Sequence, residues 1–318
     1  MTDYPAALAS RAEDLRSGRQ SYVLATVVRA LRPTSAKAGD RALVLPDGTI
    51  EGFVGGTCAE SSVRLHGLRV LASGEAVMLR IIPEAAEAAE EVVAEGLVTV
   101  ANPCASGGML EIFLEGVFPP PLVQVGGDGP TARALRQVGA ALGYDIRPAG
   151  DCGEPVLPDA AAVIVAGHGR DEEPVLLAAL AAGVPYIGLV ASRKRGAQVL
   201  TDLDLSRQDA GRVHTPAGLD IGARTVAEIA LSIYAEMVAQ RPRAGRTGSA
   251  TPAGPAHTAQ AAAEQDPVGP GTAVDPVCGV AVAVAPASLQ VSHDGGMSYF
   301  CGPGCQQAFA ADPGRYLA

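Results

Sequence analysis

The chain has 318 residues, 48% of them hydrophobic, and a mean hydropathy of +0.20, enough to bury a sizeable core and to build two or three domains. A formal net charge of -10 and a pI near 5.0 give a surface that repels phosphate backbones, which argues against nucleic acid as the main partner. No apolar run approaches the roughly 20 residues that span a bilayer. The opening MTDYPAALASRAEDLRSG carries acids where an export signal has a basic flank and an apolar core, so the expected location is the cytoplasm and no transmembrane segment is expected.

Residues 21–31 (SYVLATVVRAL) and 42–54 (ALVLPDGTIEGFV) read as strands, the second containing the turn Pro46-Asp47-Gly48. A helix is expected over 59–73, where Val63, Leu65, Leu68 and Leu71 recur at helical spacing, and further strands at AVMLRII and MLEIFLE. This is an α+β domain over residues 1–118. Its Gly55-Gly56-Thr57-Cys58-Ala59-Glu60 segment puts a thiol at or near a helix start, where the dipole lowers the thiol pKa and favours a reactive thiolate. Asn102-Pro103-Cys104 places a second thiol in a turn. Together the two could ligate a soft metal or relay sulfur; a free cysteine serves as often as a small buried hydrophobe.

The triple proline at 119–121 interrupts any helix or central strand, and a different rhythm follows over residues 119–240. LVQVGG, YDIRPAG, AAVIVAG and VPYIGLVA read as buried strands. Helices are expected at PTARALRQVGAALG, EEPVLLAALAAG and TVAEIALSIYAEMVAQ, so the fold class is α/β with a doubly wound, Rossmann-like parallel sheet. The first strand-to-helix turn, Gly127-Asp128-Gly129-Pro130-Thr131-Ala132, fits G-x-G-x-x-A, in which backbone amides approach a diphosphate at a helix N-terminus. Asp128 puts a carboxylate where phosphate charge would lie and equally fits a tight turn without a ligand. Asp151, after the second strand, suits a ribose hydroxyl or a solvated loop. Ser192, Arg193, Lys194 and Arg195 follow the fourth strand and read either as a phosphate clamp or as a solvated helix start. His168 and His214 lie nearby, as acid/base groups or as structural histidines.

Residues 241–274 have no large apolar side chain between their ends and are rich in Pro, Gly, Ala and Thr, so a disordered linker is expected there. Beyond it, residues 275–318 form a module small enough to need a staple. Cys278, Cys301 and Cys305 stand at C-x22-C-x3-C, and three thiolates in so short a stretch suit a tetrahedral metal site. Its fourth ligand would be His293, Asp275, water or a partner group. With no export signal, the six cysteines, Cys152 included, read as thiols or ligands rather than disulfides.

These segments carry a resemblance. ATVVRALRPTSAKAGDRALVLPDGTIEGFVGGTCAESSVR resembles the N-terminal domain of the XdhC/CoxI family of molybdenum-cofactor maturation proteins. PPLVQVGGDGPTARAL, VPYIGLVASRKRGAQVL and HTPAGLDIGARTVAEIALSIYAEMVA resemble that family's Rossmann domain. RPTSAKAGD and NPCASGG are nearer to the carbon monoxide dehydrogenase branch than to the xanthine dehydrogenase branch. DPVCG through FCGPGC to FAADPGRY resembles a YHS domain, a treble-clef-like metal-binding module.

The resemblance implies an accessory factor, a maturation chaperone more than a turnover enzyme, that binds molybdenum cofactor as molybdopterin or its cytosine dinucleotide. It would assist the cofactor's sulfuration and its insertion into an apo molybdenum hydroxylase, with a cysteine desulfurase as sulfur donor and a homodimer as the expected assembly. By position, Cys58 matches the cofactor-associated cysteine of the Gly-Gly-x-Cys motif, flanked by Gly55, Gly56 and Glu60, with Cys104 as a second thiol. Gly127 and Gly129 match the Rossmann glycines, and Asp128 departs from the small residue usual between them. Two alternatives stand beside this reading. One is an NAD(P)-dependent oxidoreductase using Cys58 as a redox group, and the other is a metal-delivery protein whose C-terminal module holds zinc or copper.

Overall fold

The computed structural model describes residues 4–83, 92–94, 96–101, 108–150, 155–167, 169, 172–241 and 271–317. They divide into two units, one joining Met1–Pro119 to Thr251–Ala318, the other comprising Pro120–Ala250.

In the first unit, helix α1 (Tyr4–Ser17) precedes strands β1 (Tyr22–Leu31), β2 (Arg41–Val44) and β3 (Ile50–Gly52). Helix α2 (Thr57–Ser73) follows, then β4 (Val77–Ile82), β5 (Val92–Ala94), β6 (Leu97–Ala101) and β7 (Met109–Val117). They form one sheet in the order β3-β2-β1-β7-β4-β6-β5, antiparallel except where β4 runs parallel to β6. The pleat divides the side chains of β1: Val23, Ala25 and Val27 join the core that includes Val63 and Val70 of α2, while Tyr22 packs with Leu15 of α1. The register of β1 on β7 shifts between Val27 and Arg29, a bulge in the middle of the sheet.

Helix α2 is apolar on a second side as well. Ala59, Val63 and Val70 face the sheet, whereas Leu65 and Leu68 pack against Ala283 and Ala285 of the C-terminal module. A helix with two apolar stripes must be covered twice, and here the two coverings are the sheet and the module. Burying Leu65 and Leu68, which are 2% and 7% exposed, contributes on the order of 1.5–3 kcal/mol each. The Ala287 amide also donates to the Asp47 carbonyl at 3.1 Å, and Arg64 Nε donates to the Gly48 carbonyl at 2.7 Å.

The second unit begins with β8 (Leu122–Gly126), α3 (Pro130–Ala141), β9 (Asp145–Pro148), β10 (Ala160–Val165), α4 (Glu172–Ala181) and β11 (Tyr186–Leu189). It ends with α5 (Arg193–Asp202), α6 (Arg207–Ala210), β12 (Val213–His214) and α7 (Val226–Ala239). Its strands are all parallel, in the order β12-β11-β10-β8-β9. Val123 and Val125 share a core with α3 and α7, while Leu122, Val163 and Ile187 share one with α4, so helices cover both faces as expected of a doubly wound sheet. The short strand β12 and helix α6 were not among the expected elements, and α5 was expected only as the alternative to a phosphate clamp. Gln124, 1% exposed on β8, is engaged by its neighbours: its Nε2 donates to the Pro148 and Pro155 carbonyls at 3.1 and 3.2 Å, and its Oε1 accepts from the Leu157 amide at 2.7 Å.

The C-terminal module consists of β13 (Thr272–Val274), β14 (Ala281–Ala283), β15 (Leu289–His293), β16 (Gly296–Phe300) and α8 (Pro303–Ala311). Strand β13 occupies residues expected at the end of the linker. The hairpin β15-β16 turns at Asp294-Gly295, a sequence suited to a two-residue turn, and Phe300 meets Phe309 of α8 with ring centroids 5.2 Å apart. Between α2, β6 and the segments around β13 and β14 lies a cavity of about 180 Å³ lined by Ser62, Leu65, His66, Val100, Val274 and Val280.

Candidate functional site

Two places bring the expected functional residues together, one in each unit. In the second unit the strand order reverses between β8 and β10, and ligands of open parallel sheets bind at such a switch point, beyond the strands' carboxyl ends. Gly127 leaves β8 with φ +97°, and a Cβ there would meet the Ala166 carbonyl oxygen and lie 2.7 Å from its carbon. The glycine is therefore required by the approach of two backbones. Gly129 is different: it is the N-cap of α3 at φ -68° and ψ 174°, a conformation open to any residue, and no side chain from that position caps the helix. Arg136 donates to the Gly127 carbonyl at 2.5 Å and Arg133 to the Asp128 carbonyl at 2.9 Å, so two arginines of α3 hold the loop by its carbonyls. Sequence reasoning missed both, although they lie within ten residues of the motif. Asp128 itself is exposed. Asp151, Cys152 and His168 lie outside the described residues.

The basic run beyond β11 is a helix start. Ser192 caps α5, its Oγ accepting from the Arg195 amide at 3.3 Å. Arg195 forms an ion pair with Glu172, a carboxylate 3% exposed that also accepts from the Gly169 amide at 2.9 Å. Two members of the expected clamp thus have partners within the fold, while Arg193 and Lys194 are exposed. His214 stacks on Tyr186 at 4.8 Å and lies 3.6 Å from Glu236 Oε1. Glu236 Oε2 accepts from Tyr186 Oη at 2.7 Å and from the Gly218 amide at 2.8 Å. Burial, then this bond to Glu236, raises the Tyr186 pKa far above the ordinary phenol range.

In the first unit, Cys58 sits in the first turn of α2, whose N-cap Gly56 offers no side chain. Gly55 before it has φ +137°, and a Cβ there would come within 3.0 Å of Ala59 Cβ. Glu60 also stands in that first turn. Cys104 lies outside the described residues, so its expected pairing with Cys58 has no structural counterpart there.

The three C-terminal cysteines converge. Cys278 Sγ is 3.5 Å and Cys305 Sγ 3.7 Å from Cys301 Sγ, and with a carboxylate oxygen of Asp275 the four donor atoms lie within 4.8 Å of one another. Metal–sulfur bonds of about 2.3 Å at tetrahedral angles place sulfurs about 3.8 Å apart, so the spacing fits a thiolate-bound ion. Local structure sets each residue: Cys278 lies in a turn closed by the Gly279 amide on the Asp275 carbonyl at 2.8 Å, Cys301 follows β16, and Cys305 is in the first turn of α8. Asp275 is fully buried, and its two oxygens accept from the Val277 amide at 2.9 Å and the Cys301 amide at 2.8 Å. Burial pushes its pKa up, but these amide bonds outweigh burial and the net shift is down. Of the expected fourth ligands, His293 stands apart, its ring edge-on to Phe309 and Nε2 3.3 Å from Asp294.

The thiols are unequal. The hydrogen bond with Cys301 holds Cys278 below the ordinary thiol range, whereas that bond, then one with Cys58, pushes Cys301 well above it. Burial raises Cys305 to about 12. That reach to Cys58 joins the N-terminal domain to the module and was not legible in the sequence.

Residues 15–81 match the XdhC and CoxI family, and residues 123–237 match the XdhC Rossmann domain. The chain is 26% identical over 245 residues to the uncharacterized protein YqeB of Escherichia coli, an alignment covering 68% of this chain and 43% of YqeB, so it spans less than half of that relative's length. It is 25% identical over 285 residues to the Escherichia coli molybdenum cofactor insertion chaperone PaoD, covering 75% of this chain and 89% of that protein. A solved structure described as a xanthine dehydrogenase from Bacillus halodurans is 16% identical, with a TM-score of 0.35, and overlaps 78% of this chain and 98% of that one. The two family segments together take in more than half of the chain, and this protein belongs to the XdhC and CoxI family.

Proposed function

We propose that this protein is a maturation chaperone that holds molybdenum cofactor and passes it to an apo molybdenum hydroxylase. The observation that carries the reading is its likeness, along most of both chains, to a molybdenum cofactor insertion chaperone. The Gly127–Gly129 loop at the switch point is suited to the cofactor's phosphates, with Arg193 as an exposed cation on the same rim and Asp151 as a ribose acceptor. When bound, the cofactor would supply a soft metal centre carrying sulfur, and Cys58, with Cys104, would be the thiols that address it. Arg195 enters this reading as a positioning residue, since Glu172 already engages it.

Finer assignments follow the sequence resemblance. The client is a hydroxylase of the xanthine or carbon monoxide dehydrogenase type, a cysteine desulfurase supplies sulfur, the protein works as a cytoplasmic homodimer, and the C-terminal module is a YHS domain with zinc or copper as its ion. The test is to purify the protein without oxygen and oxidise it in acid. A fluorescent pterin in near-equimolar amount, with molybdenum by mass spectrometry, is the expected result. Recovery of a nicotinamide dinucleotide in place of the pterin would overturn it and establish the oxidoreductase alternative.

A further inference from the structure

A cavity of about 500 Å³ lies in the first unit, between α1 and the face of the sheet opposite α2. None of the residues assigned above to cofactor or metal lines it. Its walls follow from local structure. Helix α1 is fastened to the sheet at two places: Leu15 packs with Tyr22 and Leu43, and Arg11 holds Glu51 of β3 through Nε at 2.8 Å and Nη2 at 3.1 Å. Beside these fastenings α1 presents Leu8, Ala9 and Ala12, and the short alanines leave open the space over Leu24 and Leu43, which pair across β1 and β2. On another wall, Gly52 ends β3 at φ +129°, where a Cβ would come 2.5 Å from Ala42 Cα. This glycine turn brings Phe53 to the cavity, its amide donating to the Arg41 carbonyl at 2.9 Å.

The cavity is apolar within and charged at its border, where two guanidiniums, Arg16 and Arg41, outnumber one carboxylate, Asp40. Arg16 donates to Glu13 and, at 3.4 Å, to the hydroxyl of the buried Tyr22. Asp40 accepts from the Lys37 amide at 2.7 Å. Arg41, the exposed first residue of β2, has no side-chain hydrogen bond or ion pair among the described residues. In a chain of net charge -10, an unpaired guanidinium at the mouth of an apolar cavity is a group left to receive an anion. Small-molecule sites have the same anatomy, with volumes of about 300–1,000 Å³, mostly apolar walls and a few polar groups that fix orientation.

We propose that this cavity is a binding site for a small aromatic carboxylate. The ring system lies among Leu8, Leu24, Leu43 and Phe53, and the carboxylate meets the Arg41 guanidinium, with Arg16 beside it. A molecule held there ties α1 to the sheet and stabilises that helix by mass action. Because α2, which carries Cys58, covers the other face of the sheet, the inference is independent of the cofactor reading.

The test titrates the full chain, in a calorimeter, with two probes that share one body, naphthalene-2-carboxylate and its neutral amide. The acid should bind at one site per chain, and the amide about tenfold or more weakly, the loss expected for one charge-assisted contact. Arg41→Gln should weaken the acid by about tenfold and leave the amide unchanged, and hydrogen exchange in α1 should slow when the acid is added to the wild type. Ala12→Phe, which fills the cavity, should abolish binding of both probes. Since Arg41 is exposed, its replacement leaves the fold intact and decides the matter even where Ala12→Phe fails to fold. Equal affinity for acid and amide, an acid affinity untouched by Arg41→Gln, or no binding of the acid at millimolar concentration would overturn the proposal.

Discussion

Gly127 and Gly129 look equivalent in the sequence, but their surroundings demand opposite results from substitution. Alanine at position 127 would hold an L side chain at φ +97°, at a cost of about 1–2 kcal/mol. Its Cβ would also press on the Ala166 carbonyl, 2.7 Å from the carbon, and overpacking of this kind costs about 1–3 kcal/mol more. Gly127→Ala should therefore lose about 3 kcal/mol whether or not cofactor is present. Serine at position 129 meets no backbone strain, because the N-cap is already extended, and it supplies the missing cap, so stability should hold or rise by a few tenths of a kcal/mol. Its hydroxyl would occupy the first-turn amides that a phosphate needs, so pterin recovered after purification should fall about tenfold if one charge-assisted contact of about 1.5 kcal/mol is displaced. Urea denaturation with hydrogen exchange on β8–α3 peptides reads the first effect, and pterin fluorescence reads the second. A Gly129→Ser protein with wild-type pterin would refute the phosphate role of the loop, and a Gly127→Ala loss below 1 kcal/mol would refute the steric argument.

Gln124→Leu strands two carbonyls and one amide beside β8 in the second unit and should cost about 3 kcal/mol or more, with faster exchange at the Leu157 amide as the measurement. For Tyr186, whose folded pKa is raised, the stabilisation is complete below the unfolded value of about 10 and is lost as pH climbs above it. Tyr186→Phe should cost about 1.5–3 kcal/mol at pH 7 and show a smaller further loss between pH 9 and about 11, read from urea midpoints. Leu65→Ala combined with Leu68→Ala should cost about 2–5 kcal/mol per site at the module's docking face, and the C-terminal module should then be cleaved sooner in limited proteolysis.

Much of the second unit could be read from the chain because its signals are local. Buried strands such as LVQVG, a glycine turn followed by Pro130, and Thr225 with Glu228 as a capping box all lie within a few residues of what they determine. What escaped reading depends on partners far apart in sequence. The helical spacing of Leu65 and Leu68 foretold a helix but not that their partners lie more than two hundred residues onward. Arg195 reads as a free cation until Glu172 is found beneath it, and Glu236, which anchors Tyr186 and the Gly218 amide, belongs to no motif. The three cysteines stood out as candidate ligands by spacing alone, yet spacing could not choose Asp275 over His293 as the fourth donor beside them.

The two-sided helix α2 also governs how the protein behaves when it is shortened. A chain ending before Gly271 would keep the face of α2 against the sheet but leave Leu65, Leu68 and part of Leu71 as a bare ridge. Exposed ridges of this kind self-associate or recruit holdases. A dimer or an aggregate observed with such a truncated protein would then record an unsheathed surface and not the native assembly, so subunit counts for this protein are meaningful only on the full chain.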